Sequence, residues 1–496
     1  MAPPLEAGAD RAWRGLALSV TALAHAAALG GSLLDGDRLL LVRNPRLHSF
    51  SGLAAMLSEG RVLLRGAGLQ VRDHAPLGAF GSWLSWEWFR AAPLVQHALG
   101  PALLLALVAS LFSLLRASKV PAPVAAVASL ALSLHPCAAD LSAPLAGRDA
   151  LLALALSLLA ARRSLLAPPL EGVAWSASAA LAAGLCAPGY GLFGLLPASL
   201  VRPRAHRRIA LAAASLSALA SLAITRGDGA LLPGVAALGG GGTASLLAWI
   251  PSPSPFVAAT TRSVASAACI LPLLLSALSA SLSTRASEPE DASLLRAGAA
   301  ALLASTLASG LSGAALVTGG GASLGLHLGL VLSALGLLRA LGPSTARLAR
   351  PWMLVGFALP AALTAHRVRG WTDEVAVLRA IATRDPSDPE ASLARARLEL
   401  RQHRLSAAAP WCLRYALSQP DTGRADGCLG AVASARGDHR AAVTLLRRWA
   451  AGLDDRRALR AASLELSSAI PDPRFGQAFR EATGYSLPQP RPGESP

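Results

Sequence analysis

Apolar residues in this chain gather in long blocks separated by short polar segments, instead of recurring every second or every third to fourth position. About 20 apolar residues suffice for a helix to cross a bilayer, and the blocks predict about eleven spans. These fall near 15–34, 93–115, 120–135, 149–161, 171–186, 187–201, 208–225, 257–283, 294–317, 322–341 and 351–366. The connection 35–92 is too polar to span. Within it, residues 47–57 (LHSFSGLAAML) have helical spacing and are expected to lie along a membrane surface. Trp83, Trp86, Trp88 and Phe89 crowd before the second span as interfacial aromatics do, and a sugar or prenyl chain could also stack there. A second polar segment, 135–149 (HPCAADLSAPLAGRD), is wedged between two apolar runs; charge at that depth is costly unless paired, wet or useful. The stretches 239–242 and 251–255 read as loop.

Beyond Arg367 the pattern changes to soluble helix. Windows 389–422 and 423–456 align with each other and with a tetratricopeptide pattern of about 34 residues. In the second, Leu429, Gly430, Gly437, Asp438 and Ala442 take the positions where paired helices approach closely. In the first, Ala396, Ala408 or Ala409, and Pro420 fit with a one-residue slip. Residues 371–383 resemble the second helix of a preceding partial repeat, 457–469 cap the array, and 488–496 read as a disordered end. The expected fold is all-α: a polytopic helical membrane domain over 14–366, after a short N-terminus at 1–13, then a small TPR-like α-solenoid over 367–487.

Composition sharpens this. The chain has 496 residues, 53% of them hydrophobic and only 15% charged, with mean hydropathy +0.47; soluble domains run at about 25% charged. The net charge of +16 does not point to nucleic acid, because the arginines sit in short clusters between apolar runs. With alternating spans, Arg11/Arg14, Arg116/Lys119, Arg162/Arg163, Arg202/Arg204/Arg207/Arg208, Arg285/Arg296 and Arg339/Arg347/Arg350 share one side. By the positive-inside rule that side is cytoplasmic, placing 35–92, 135–149 and the C-terminal helices across the bilayer. The first apolar run has no small-residue cleavage site after it and is expected to stay as an anchor. The five cysteines form no CxxC pair, so a thiolate metal site is not expected. Cys412 and Cys428 fall on neighbouring repeat helices; a disulfide between them is one reading, unpaired core cysteines the favoured one.

In order along the chain stand Asp37…Asn44-Pro45, Pro76-Leu77, His97, His135-Pro136…Gly147-Arg148 and Trp371. In this sequence of features the chain resembles the bacterial relatives of the membrane-spanning tetratricopeptide-repeat O-mannosyltransferases, glycosyltransferases of the GT-C type, over nearly its whole length. It departs from them at several points. The family's adjacent acidic pair is Gly36-Asp37 here, with Asp35 one place earlier. The usual Tyr-Arg-Pro-Leu is His74-Ala75-Pro76-Leu77, and His-Pro-x-His-Thr-Glu is His135-Pro136-Cys137-Ala138-Ala139-Asp140. The late Arg-Tyr-rich segment has become residues 319–326, without either residue type.

The resemblance implies a bacterial inner-membrane protein that transfers a sugar from a polyprenyl-phosphate donor to a protein or glycan hydroxyl on the periplasmic face. A base must then take the acceptor proton; a carboxylate with its pKa raised by desolvation suits that task, and Asp37 is the first candidate, Asp35 the second. Both could equally solvate the end of the first span. Arg148 could bind the donor phosphate bidentately, or pair with Asp149 or Asp140 as a structural bridge. Asp140 would orient Arg148 or a divalent ion; a metal site of Asp37, Asp140 and His135 is an alternative that no spacing specifies. His135 before a proline more often caps a helix, and His97 reads as an interhelical hydrogen-bonding residue. The repeats offer a surface for a peptide or protein, whether acceptor or partner. The departures leave a second reading: a catalytically inactive membrane scaffold that binds proteins through its repeats. A transporter is disfavoured by the lack of internal symmetry, and a phosphate-binding loop by the missing Lys after 239–242.

Overall fold

Prolines mark where many of this chain's helices begin. The computed structural model describes residues 4–31, 45–59, 75–90, 92–187, 190–225, 274–284, 289–311, 316–340, 361–366, 368–370, 379, 389–402, 404–418, 424–451 and 473–484. Asp35, Asp37, the stretches 239–242 and 251–255, nearly all of 371–383, the expected cap at 457–469 and the end 488–496 lie outside the described residues. The described residues form helices and no strands, as expected.

The helices, in order, are α1 (Pro4–His25), α2 (Phe50–Glu59), α3 (Pro76–Phe89), α4 (Pro93–Ala117), α5 (Ala122–Ser133) and α6 (Pro136–Ser142). Then come α7 (Arg148–Leu166), α8 (Pro169–Cys186), α9 (Leu195–Leu200), α10 (Arg204–Thr225), α11 (Leu274–Thr284), α12 (Pro289–Leu311) and α13 (Leu316–Ala340). Helices α3, α4, α5, α6 and α8 each carry proline in the first turn, where its missing N–H has no partner to lose.

The described residues do not show the expected eleven or so spans. Among the described residues, α4 is the helix that is long and apolar enough to cross a membrane. Helix α5 has 12 residues, about 18 Å at 1.5 Å each, against a hydrocarbon core of about 30 Å. The expected span at 187–201 is a 3-10 turn, Tyr190–Gly194, followed by the six-residue α9. Its apolarity serves burial inside the bundle: Tyr190, Phe193, Leu196 and Ala198 are fully buried. Gly194 there sits against the backbone of Ala180, so the chain folds down onto α8 instead of running past it.

Two ends of the bundle can be told apart by their chemistry. At one, Arg116 Nε donates to Asp10 Oδ2 at 2.9 Å, tying the end of α4 to the start of α1. Gly172 at the start of α8 lies against Val201 and Ser164, and Arg202 Nη2 donates to Ser293 Oγ at the start of α12, 3.0 Å away. At the other end, Gln96 of α4 meets Arg148 of α7, so these two helices run side by side in one direction. His25 at the close of α1 reaches Ser133 and Ser142. Val368, fully buried, packs there on Ala28, Ala139 and Ala143. The chain therefore leaves the bundle for its C-terminal helices at the end that holds residues 135–149.

Those helices are α14 (Pro389–Arg401), α15 (Leu405–Ser418), α16 (Arg424–Ala435), α17 (His439–Ala451) and α18 (Pro473–Thr483). Each packs on the next, as helical hairpins do. The small-residue positions act as expected. Gly430 lies against Leu446, and Ala442 and Ala396 are fully buried. Gly437 turns the chain with φ +83°, a conformation that costs glycine little. Asp438 then caps α17, its Oδ1 accepting from Ala441 N at 3.0 Å.

The favoured reading of Cys412 and Cys428 is corrected: they are joined by a disulfide, with Cα atoms 5.8 Å apart. Ala408 and Ala431, fully buried nearby, leave room for α15 and α16 to close to that distance. With the partners 16 positions apart in sequence, Cys412→Ser with Cys428→Ser is expected to destabilise the C-terminal helices by about 2–3 kcal/mol. Urea unfolding of the full chain with and without reductant measures this. Two titratable free thiols at these positions in the untreated protein would refute the bond.

Candidate functional site

The segment 135–149 is held from three sides. His25 Nε2 lies 3.0 Å from the carbonyl of Ser133, which can only accept, so Nε2 carries the proton; Nδ1 then accepts from Ser142 Oγ at 2.7 Å. His97 donates from Nδ1 to the carbonyl of Ala143 at 3.1 Å, the interhelical role its place in α4 predicts. Gly100 of α4 lies against the backbone carbonyl of Ser142, and Gly147 against the backbone of Leu141. With Ala138, Ala139 and Leu141 fully buried, this polar segment is part of the core, not a free loop.

Arg148 opens α7 and leans onto α4. Its Nη1 donates to Gln96 Oε1 at 3.1 Å, and its Nη2 to the carbonyl of Gln96. Gln96 is completely buried, and its own Nε2 donates to the carbonyls of Ser85, 3.1 Å, and Arg90, 2.8 Å, at the close of α3. One glutamine thus ties the end of the aromatic helix to the arginine. Sequence reasoning missed Gln96. The available signal was a lone amide in the first turn of a long apolar helix, where an unsatisfied polar group would cost about 1–3 kcal/mol. Asp149 sits beside Gly78 of α3: a Cβ there would lie 2.5 Å from Asp149 Oδ2 and 3.1 Å from the carbonyl of Cys186. Arg148 and Asp149 are both half-buried.

His135 is buried and acts as a cap: its Nδ1 accepts from the backbone N of Cys137 at 3.2 Å, and its ring lies 4.3 Å from that of His327. That is the local role set out for a histidine before proline. Asp140, half-buried, stands on α6 within the same segment. Among the described residues no three His, Cys, Asp or Glu side chains come together to hold a metal ion. Asp35 and Asp37 lie outside the described residues, so the structure joins Arg148, Asp140 and His135 in one packed segment but does not place the candidate bases.

Around this lies an aromatic shelf. Trp83 and Trp86 of α3 pack on Leu47, Leu53, Met56 and Leu145, and His48 stacks on Trp86 at 4.1 Å. Phe50 and Trp88 stand exposed at 73% and 67%, which fits an interfacial setting and leaves apolar surface beside the Arg148 end.

The architecture defines the class no more narrowly than an all-helical bundle with a tail of helical hairpins. No family model, no curated protein and no solved structure matches the chain.

Proposed function

We propose that the chain is a polytopic membrane glycosyltransferase-like protein of the GT-C type, moving a sugar from a polyprenyl-phosphate donor to a protein or glycan hydroxyl on the periplasmic face. The observation that carries this reading is the polarity of the bundle. Arg148 with its buried Gln96 support, and the point where the chain departs for its C-terminal helices, share one end. Arg116, Arg202 and Arg296 gather at the other. A membrane protein with its arginine-rich end in the cytoplasm would put Arg148 and the TPR-like helices together outside, and the Cys412–Cys428 bond suits an oxidising compartment.

In this reading Arg148 steadies the leaving phosphate, Gln96 fixes its orientation, and Asp37, aided by Asp35, takes the acceptor proton. The proton leaves the hydroxyl as its oxygen bonds the anomeric carbon and the bond to the lipid phosphate breaks, so configuration inverts. The aromatic shelf beside Arg148 offers the apolar approach a prenyl chain needs. Asp37→Asn, alone and with Asp35→Asn, is expected to lower transfer in membranes by about 100-fold or more, the scale of losing a general base. Unaltered transfer removes both carboxylates from the chemistry. Reporter fusions at Ser49 and Gly437 test the shared face, and opposite compartments would end the transferase reading.

One observation favours a scaffold instead: two of Arg148's donors are already engaged by Gln96. A chain that binds peptides through residues 389–483 yet has no affinity for polyprenyl phosphates would decide for it.

A further inference from the structure

Helix α15 carries the exposed apolar surface of the C-terminal helices. Among the described residues there, the large apolar side chains that stand exposed are Leu413, at 52%, and Leu417, at 78%. With Pro410, also exposed, they are spaced three and four apart and so share one face of the helix. The opposite face is engaged: Ala408, Cys412 and Tyr415 are buried with Leu393 and Leu400 of α14 and Val432 of α16. The Cys412–Cys428 bond holds that side inward, so α15 cannot roll to bury its leucines. Charge along this stretch has one sign. Residues 400–420 hold Arg401, Arg404 and Arg414 and no Asp or Glu. Arg404 and Arg414 are exposed; the first reaches Glu399 of α14 at 4.0 Å, and the second lies 5.9 Å from the Trp411 ring.

We propose that this outer face of α15 docks on an anionic lipid surface, that of the bilayer holding the bundle. The apolar stripe lies on the outward side of one helix, opposite the face packed on α14 and α16, and not in a groove of the kind that receives a peptide. Leucines on such a face insert below the headgroups, while the guanidiniums, carried on long apolar stems, stay level with the lipid phosphates. The connection to the bundle is short enough. Val368 packs on Ala28, Ala139 and Ala143 at the end that holds residues 135–149, and α14 begins at Pro389. Residues 371–388 can span at most about 65 Å, so α15 stays within reach of the bilayer surface on that side.

The inference rests on the membrane reading but not on sugar transfer, and its test does not measure transfer. Ser406, exposed at the start of the stripe, is replaced by Ser406→Cys in the full chain, with Cys269→Ser to remove a competing thiol; Cys137 and Cys186 are buried. The new thiol carries an environment-sensitive fluorophore, and the chain is placed in nanodiscs of phosphatidylcholine, alone or mixed with phosphatidylglycerol. Lipids with a nitroxide on the acyl chain are expected to quench the fluorophore in the mixed nanodiscs. Leu413→Ser with Leu417→Ser should lower the docking equilibrium by about 10-fold or more, and Leu417→Ser alone serves if the pair does not fold. Arg404→Gln with Arg414→Gln should remove the gain from phosphatidylglycerol, whereas Arg440→Gln with Arg447→Gln on α17 should change nothing. Absence of quenching in the mixed nanodiscs, or quenching that survives in the leucine variant, would overturn the docking. Equal quenching with and without phosphatidylglycerol would overturn the anionic assignment, and a blue-shifted fluorophore that nitroxide lipid does not quench would give the face to a protein instead. A chain that does not enter nanodiscs at all would refute the membrane reading, an outcome distinct from an inserted chain whose fluorophore stays unquenched.

Discussion

Under the proposed transferase reading, Arg148→Ala is expected to lower sugar transfer by about 100- to 1,000-fold, the scale seen when one donor to a developing anion is removed. Arg148→Lys should recover little of this, because a lysine keeps the charge but cannot present two parallel N–H groups to a phosphate. Gln96→Ala separates positioning from contact. It removes the acceptor of Arg148 Nη1 and the donor to the carbonyls of Ser85 and Arg90, so the arginine keeps its charge and its Nη2 bond to the backbone carbonyl at position 96 but loses one of the two bonds that orient it. The expected signature is a drop in turnover for Gln96→Ala with donor affinity largely kept, and a loss of both for Arg148→Ala. Transfer by Arg148→Ala within about two-fold of the parent would leave the arginine a purely structural bridge.

The second large effect is on stability. Gly100→Val and Gly147→Val each drive a side chain into backbone, the carbonyl of Ser142 and the backbone of Leu141. Backbone at such a contact cannot swing away as the tip of a long side chain can. Each substitution should cost at least about 1–3 kcal/mol, the range for overpacked cores, and loosen residues 136–147 together. Gly15→Ala and Gly81→Ala are the controls: nothing lies within 4 Å of a Cβ at either, and both are helical. They should gain up to about 1 kcal/mol from helix propensity. Thermal unfolding in detergent compares the set. If Gly100→Val melts with the controls, α4 does not pack on α6 as described.

Much of the helical framework was readable from block length and proline placement, because both act locally. The starts of α3, α4, α5, α6 and α8 follow prolines whose position in the chain is enough to place them. The C-terminal hairpins were legible for a related reason: Gly430 and Ala442 are small where two helices must touch, and Gly437 stands at the turn between them. The segment 187–201 misled because apolarity records burial without saying in what. A run buried by α8, α10 and α12 looks like one buried by lipid until its neighbours are known.

By itself the sequence determined an all-helical chain, the polar segment 135–149 as a place where charge needs a reason, and the separation of arginine-rich turns from the rest. Only the tertiary structure decided that Gln96 holds Arg148 and that Cys412 meets Cys428. The division follows from range. Helix limits are set by residues a few places apart, whereas Arg148 lies 52 residues from Gln96, and no local pattern says which buried amide will satisfy which buried cation.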